Sequence, residues 1–173
     1  MPLILNGNGT IVFPATQIPS ADPNTLDDYE EGTWTGTLGM NSTPSTVTEA
    51  TNVTITATGT YTKIGRLCQI SIYFDVTAFN NHVAYFITGL PFTSGNATGG
   101  YPIAMGHQRG IRFVYGGSIL SDVTLAAIVG QSNTRITLQS SSNTSAFSGW
   151  FYISNESGQG KYITVGGTYE TSS

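Results

Sequence analysis

The chain has 173 residues and a mass of 18.3 kDa, the size of one domain with a single core. Only 9% of the residues are charged, whereas Thr, Ser, Gly and Asn make up 75 residues, which disfavours a helical protein; the 39% hydrophobic content disfavours a disordered one. The formal net charge of −4 excludes a basic surface for nucleic acid or an anionic membrane.

The first segment, residues 1–32, is predicted to be an extended N-terminal arm. It contains four of the seven prolines, and each proline removes a backbone donor that regular pairing needs. Its acidic cluster, formed by Asp27, Asp28, Glu30 and Glu31, offers the oxygen ligands that calcium prefers. The cluster lacks the glycine turn of a calcium loop, so a solvated arm or a charged subunit contact explains it more simply.

From residue 33 onward strands predominate, and the clearest two form a predicted β-hairpin. In residues 53–64 apolar side chains stand at odd positions and threonines at even ones, which is typical of a half-buried strand. After a turn at Gly65, residues 67–78 alternate in the same way, with Cys68 on the apolar face. Because Cys68 is the only cysteine, an internal disulfide is excluded, and we interpret it as a small buried hydrophobic residue.

The other predicted strands are short and are separated by Gly, Ser and Asn clusters. Together with the hairpin they make about ten strands and no helix, which predicts an antiparallel, jelly-roll-like β-sandwich over residues 33–173. These further strands are residues 33–38, 82–88, 101–105, 111–115, 123–129, 135–139, 149–154 and 162–169.

Several of these strands are apolar on both faces, which is unusual in so small a domain. A second copy of the chain is the simplest cover for the extra apolar face, although the centre of a two-layer sandwich could also bury it. We therefore predict a subunit interface that is lined by Phe86, Phe113, Tyr115, Trp150 and Phe151.

Motifs for catalysis or metal binding are absent from the sequence. The nucleophile elbow, the phosphate-binding loop, the zinc-protease helix and the EF-hand loop are all missing, so we predict no enzyme, no catalytic residue and no cofactor. His82 and His107 stand apart, with no spacing that favours a metal site. The start of the chain does not resemble a signal peptide and no run is long enough to span a membrane, so we expect a soluble protein.

One polar segment is a candidate for ligand binding. Residues 99–112 combine hydrogen-bond donors with neighbouring aromatic rings, which predicts a recognition loop beside a stacking surface. An ordinary turn with two solubilising arginines would show the same residue pattern. The candidate ligand-binding residues are Tyr101, His107, Gln108, Arg109 and Arg112.

Four motifs resemble the C-terminal domain family of bacteriophage tail fibre and tailspike proteins. They are FPATQIPSADPNTLDDYEEGTWTGTL at residues 13–38, GTYTKIGRL at 59–67, TGLPFTS at 88–94 and GGTYET at 166–171. This chain has Gly36 where the family usually has proline. The resemblance implies a trimeric, antiparallel jelly-roll domain in the virion that recognises or attaches to the host surface.

We therefore expect a homotrimeric receptor-binding tail fibre protein, made in the host cytoplasm and located in the virion. Its arm would attach to other virion proteins and its loops would contact host surface polysaccharide, without nucleic-acid binding or membrane insertion. Because the signature begins close to Met1, we expect no preceding shaft or depolymerase domain. The alternatives are a capsid decoration protein that stabilises the head and, less favoured, a polysaccharide-degrading tailspike module.

Overall fold

A computed structural model describes residues 4–5, 7–9, 11–12, 28–41, 53–79, 82–109, 111–115, 118–120, 123–142, 145–153 and 160–172. Every regular element in these ranges is a β-strand, so the predicted all-β class is confirmed. No helix among the described residues is long and apolar enough to cross a membrane.

The described part of the chain contains thirteen strands. They are β1 (Ile4–Leu5), β2 (Ile11–Val12), β3 (Tyr29–Asn41), β4 (Val53–Ile64), β5 (Leu67–Asp75), β6 (His82–Thr88), β7 (Tyr101–Arg109), β8 (Ile111–Tyr115), β9 (Ser118–Leu120), β10 (Val123–Val129), β11 (Arg135–Ser142), β12 (Ser145–Ile153) and β13 (Tyr162–Glu170). β1 and β2 pair only with each other.

Eight of the strands close into one antiparallel barrel. The order around the ring is β10, β7, β13, β5, β4, β3, β6 and β11, and β11 pairs again with β10. Within the ring β6 lies beside β3 rather than β5, so β3 to β6 form a Greek key. The jelly-roll-like sandwich is not confirmed, because these strands form a continuous ring.

A second, smaller sheet branches from the barrel, and we call it the side sheet (β12, β8 and β9). β12 pairs with both β6 and β11, β8 pairs with β12, and β9 pairs with β8. The side sheet contains four of the five residues predicted at a subunit interface, Phe113, Tyr115, Trp150 and Phe151, whose side chains lie outside the described part of the structure. The fifth, Phe86, is half-buried on β6 under the guanidinium of Arg135.

The core fills the inside of the barrel, because strand side chains alternate between its two faces. On β5 the even-numbered residues from Cys68 to Phe74 are buried, and the odd-numbered ones from Leu67 to Asp75 are exposed. Cys68 is completely buried, which confirms its interpretation as a core residue. The turn at Gly65 that joins β4 to β5 has a positive φ of 56°, so the predicted hairpin is also confirmed.

Trp34 on β3 occupies the space above two glycines in the barrel interior. A Cβ on Gly59 would lie 2.5 Å from the indole Nε1 and 2.5 Å from the backbone oxygen of Ser71. A Cβ on Gly36 would clash with Ile72 and lie 3.0 Å from the indole ring. The absence of a side chain at these two positions therefore makes room for the tryptophan in the core.

Two of the strands that extend beyond their predicted bounds change the interpretation of a segment. β3 begins at Tyr29, so the last part of the predicted arm belongs to the barrel and pairs with β4. β7 continues to Arg109, so residues 99–112 do not form a loop, since all of the described residues of this stretch except Gly99 and Gly100 lie in β7 or β8. Residues 13–27 of the predicted arm lie outside the described residues.

Replacing Gly59 by alanine should lower the free energy of unfolding by about 1–3 kcal/mol, because the new methyl group must displace Trp34 or the backbone of β5. Urea denaturation measures this change. Gly7→Ala is the matched control, since nothing lies within 4 Å of a Cβ at Gly7. Equal stability of the two variants would show that Trp34 does not need the space above Gly59.

Candidate functional site

The antiparallel ring gives the barrel two ends with different chemistry. We call one the proximal end, because the chain enters the barrel there from its N-terminal segment at Asp28. The opposite one is the distal end. The proximal end comprises Asp28 and residues 29–31, 61–67, 89–101, 130–135 and 169–172; the distal end comprises residues 73–79, 82, 109 and 160–162.

A buried lysine lies at the centre of the proximal end. Lys63 occupies the inward face of β4, and its ammonium group forms an ion pair with the carboxylate of Asp28. The side chains are only 3% and 12% exposed. On its other side the ammonium group lies 5.3 Å from the centre of the Phe92 ring, a cation–π contact. A charge buried in this way is stable only because both partners are present.

Tyr61 extends this network toward the outside. Its hydroxyl donates a hydrogen bond to the carboxylate of Glu30, and its ring meets Phe92 edge-on with centroids 5.4 Å apart. The hydrogen bond to Glu30, together with partial burial, raises the pKa of Tyr61 to about 12. In the same way Tyr29 donates to Glu31, and this bond raises the pKa of Tyr29.

Tyr169 holds Phe92 in place from the inner side. The Tyr169 hydroxyl donates to the Phe92 carbonyl over 3.0 Å and accepts from the Phe92 backbone N–H over 3.4 Å. Burial raises the pKa of Tyr169 far above its usual range, and the neighbouring Cys68 adds to this effect. Burial likewise raises the pKa of the Cys68 thiol, so this cysteine stays protonated and unreactive at neutral pH.

The four motifs of the tail fibre resemblance meet at the proximal end. The first supplies Asp28 and the second Lys63, as the ion pair shows. The third and the fourth join through a bridge between Ser94 and Thr171. Arg66, from the second motif, donates from Nε to the carbonyl of Thr171 over 3.2 Å. The motifs therefore form one contact network that builds the end of the barrel where the N-terminal segment arrives.

The acidic cluster of the predicted arm is largely bound within the chain. Asp28, Glu30 and Glu31 each have an intramolecular partner, whereas Asp27 lies outside the described residues. Among the described residues, no three His, Cys, Asp or Glu side chains lie close enough to hold a metal ion. Residues 29–31 belong to the barrel strand β3 rather than to a separate arm, although Glu30 and Glu31 are exposed to solvent.

An aromatic pair of the exposed Tyr73 and the half-buried Tyr162 marks the distal end. Tyr73 on β5 and Tyr162 on β13 lie on the outer face with ring centroids 5.6 Å apart and an interplanar angle of 33°. The register places Arg109 and Asp75 on either side of Tyr162, as its direct neighbours across β7 and β5. We call these four residues the distal platform. An aromatic surface between a guanidinium and a carboxylate suits a flat, polar ligand.

Arg109 has a distinct position among the basic residues. Lys63, Arg66 and Lys161 form polar contacts within the chain, and the guanidinium of Arg135 covers a ring. Of the basic side chains that the structure describes, the exposed Arg109 is the one with no intramolecular partner. Its guanidinium is therefore available for a ligand.

The carboxylate of Asp75 is fixed by the turn that follows β5. The backbone N–H of Thr77 donates to the Asp75 Oδ1 atom over 2.9 Å. Hydrogen bonds from Thr77, through its hydroxyl and its backbone, lower the pKa of Asp75, so this group stays ionised in mildly acidic solution. Lys161 is buried beneath this turn, and its ammonium group donates to the carbonyl of Phe79.

The structure separates the residues that were predicted to form one binding loop. Tyr101 and Arg109 are the two ends of β7, about 26 Å apart at the usual rise per residue. Tyr101 packs at the proximal end, with its ring 6.5 Å from that of Tyr169. Arg109 belongs to the distal platform. His107 and Gln108 lie on β7 and Arg112 lies on β8, with side chains outside the described part.

Sequence reasoning missed Tyr73 and Tyr162 as site residues. Tyr73 stands on the polar face of an alternating strand, where an exposed aromatic residue is a signal for a binding surface. Its pairing with Tyr162, 89 residues later in the chain, depends on the neighbouring positions of β5 and β13.

No protein-family model and no curated protein matches the chain. The resemblance to the tail fibre and tailspike family consequently rests on the four motifs, and it stays a prediction.

Replacing Lys63 by methionine should lower the free energy of unfolding by about 3–5 kcal/mol, because the variant leaves the Asp28 carboxylate partly buried without its cation. Adding Asp28→Leu should restore most of that stability. The control is Arg66→Met, which breaks the exposed ion pair with Glu170 and should cost no more than about 1 kcal/mol. Similar losses for the Lys63 and Arg66 variants in chemical denaturation would contradict the buried network.

The pKa of Tyr61 predicts a loss of stability at high pH. Above pH 10 the unfolded chain releases this phenolic proton before the folded chain does. The contribution of Tyr61 to the free energy of unfolding is therefore lost as the pH rises from about 10 toward 12. The difference between the phenolate absorbance titrations of the parent and of Tyr61→Phe should show one group that ionises near pH 12. Glu30→Gln should move that step toward pH 10; an unchanged titration would show that the hydrogen bond to Glu30 is not its cause.

Proposed function

We propose that this protein is a non-enzymatic virion component of a bacteriophage, a receptor-binding tail fibre protein that attaches to glycans on the host cell surface. Its N-terminal segment would join it to other virion proteins, and the barrel would present the recognition surface. The proposal combines the four family-like motifs with the different chemistry of the two barrel ends.

The observation that carries the proposal is that the four motifs and the Tyr73–Tyr162 pair lie at opposite ends of the barrel. The motifs are engaged in intramolecular contacts next to the point where the N-terminal segment enters the barrel. Tyr73 and Tyr162 lie at the opposite end, together with the exposed Arg109. A fibre tip requires this arrangement, since its attachment point and its binding surface must face in opposite directions.

We also propose that three copies associate through the side sheet, in a jelly-roll-like arrangement. The Greek key of β3 to β6 supports the jelly-roll-like part, because jelly rolls are built from two such units. The register of the side sheet supports the interface, since it places Phe151 opposite Phe113 and Trp150 opposite Val114. This concentration of apolar residues outside the barrel ring favours contact with a neighbouring copy.

Fluorescently labelled protein applied to an array of bacterial surface glycans tests the attachment function. We expect binding to a subset of the glycans and no release of reducing sugar from them. Heat-denatured protein is the control for non-specific adsorption. Absence of binding to every glycan, or a location of the protein on the capsid rather than on the tail in virus particles, would contradict the proposal.

Multi-angle light scattering tests the oligomeric state. The expected mass is about three times the 18.3 kDa of one chain. Phe113→Asp and Phe151→Asp should each reduce the trimer fraction at micromolar concentration, whereas Thr56→Asp, at an exposed position on β4, should not. A mass close to 18.3 kDa for the parent protein would contradict the trimer.

A further inference from the structure

We infer that the distal platform is a binding site for one anionic sugar residue of a polysaccharide, with the sugar ring on Tyr73 and Tyr162 and its anionic substituent, a carboxylate or a phosphate, on Arg109. The inference rests on the proposed function and adds to it the position of the site and the charge of the ligand.

The two tyrosines supply the surface for the sugar ring. Tyr73 is 51% exposed although it belongs to the middle of the sheet, and Tyr162 lies beside it. A sugar ring has a face of C–H groups that packs on aromatic carbon, while its hydroxyl groups remain at the edge for hydrogen bonds. The rings are anchored on neighbouring strands of a closed barrel, so they are positioned before the ligand arrives, which reduces the entropy lost on binding.

Arg109 supplies the contact for the negative charge. It is the direct cross-strand neighbour of Tyr162, its side chain is exposed, and it has no competing partner among the residues that the structure describes. A guanidinium presents a planar fork of donors that matches both carboxylate and phosphate oxygens. An anionic group on a sugar that stacks on Tyr162 would therefore lie within reach of this fork.

Asp75 limits the site to one negative charge. It flanks Tyr162 on the side opposite Arg109, so the two charged residues are separated by two strand spacings, about 10 Å. The ionised Asp75 carboxylate accepts hydrogen bonds from sugar hydroxyl groups and repels a second anion. The site consequently favours a polymer with spaced charges over a dense polyanion, which a simple basic patch would bind most tightly.

Calorimetric titration of the intact protein tests this inference with four probes. They are polygalacturonate, its neutral methyl ester, a teichoic acid built of hexose phosphates and dense inorganic polyphosphate. We expect binding to polygalacturonate or to the teichoic acid, which distinguishes a carboxylate from a phosphate ligand, and at least tenfold weaker binding to the methyl ester and to polyphosphate.

Four variants test which side chains bind the ligand. Arg109→Gln should weaken binding to the preferred probe by about 10- to 100-fold, the range for loss of a charge-assisted hydrogen bond. The affinity of Arg109→Lys for this probe should lie between those of Arg109→Gln and the parent. Tyr73→Ala should weaken binding as well. Arg66→Gln is the matched control, because Arg66 is an exposed arginine at the proximal end, and it should bind as the parent does. All four variants should keep the parent's melting temperature to within a few degrees, because these side chains are exposed.

Two results would overturn the inference and leave the proposed function intact. One is binding of the neutral ester as tightly as of polygalacturonate. The other is equal affinity of Arg109→Gln and Arg66→Gln for a glycan that the parent binds. Lack of binding to any of the four probes and to any glycan on the bacterial array would contradict both the inference and the proposed function.

Discussion

The buried ammonium group of Lys63 is the interaction on which the proximal end depends. An unpaired charge in the interior of the barrel would cost several kcal/mol, so the Asp28 carboxylate must lie beside it. Phe92 covers the opposite side, and Tyr169 fixes Phe92 through both of its backbone groups. A single charge thereby links the start of β3, the end of β4, the connection after β6 and the end of β13.

This dependence gives a physical role to the four motifs on which the resemblance rests. Residues that satisfy a buried charge cannot change one at a time without loss of stability, whereas exposed residues can. The motifs are thus explained as the construction of the barrel end that receives the N-terminal segment. We propose that recognition takes place at the distal platform, where Tyr73 and Arg109 can be exchanged without disturbing the core.

Local structure was predictable from the sequence, whereas the closure of the barrel and the composition of the site were not. The hairpin of β4 and β5 followed from the alternation of apolar and polar residues. Lys63 stands at one of the odd, inward-facing positions of β4, so the same alternation already indicated that this lysine is buried. The ring depends on pairings such as β13 with β5 and β6 with β11, which local periodicity does not encode. Tyr101 and Arg109 are separated because β7 continues through Gly106, where the sequence suggests a loop.

A cryo-electron-microscopy reconstruction of the virus particle in which we propose that this protein is located tests the separation of the two ends most directly. The account predicts density for the N-terminal segment between the particle and the proximal end, with Asp28 facing the particle and the distal platform facing outward. A reconstruction in which Tyr73 and Tyr162 are buried against the particle, while Glu30 and Glu170 face the solvent beyond it, would contradict the account.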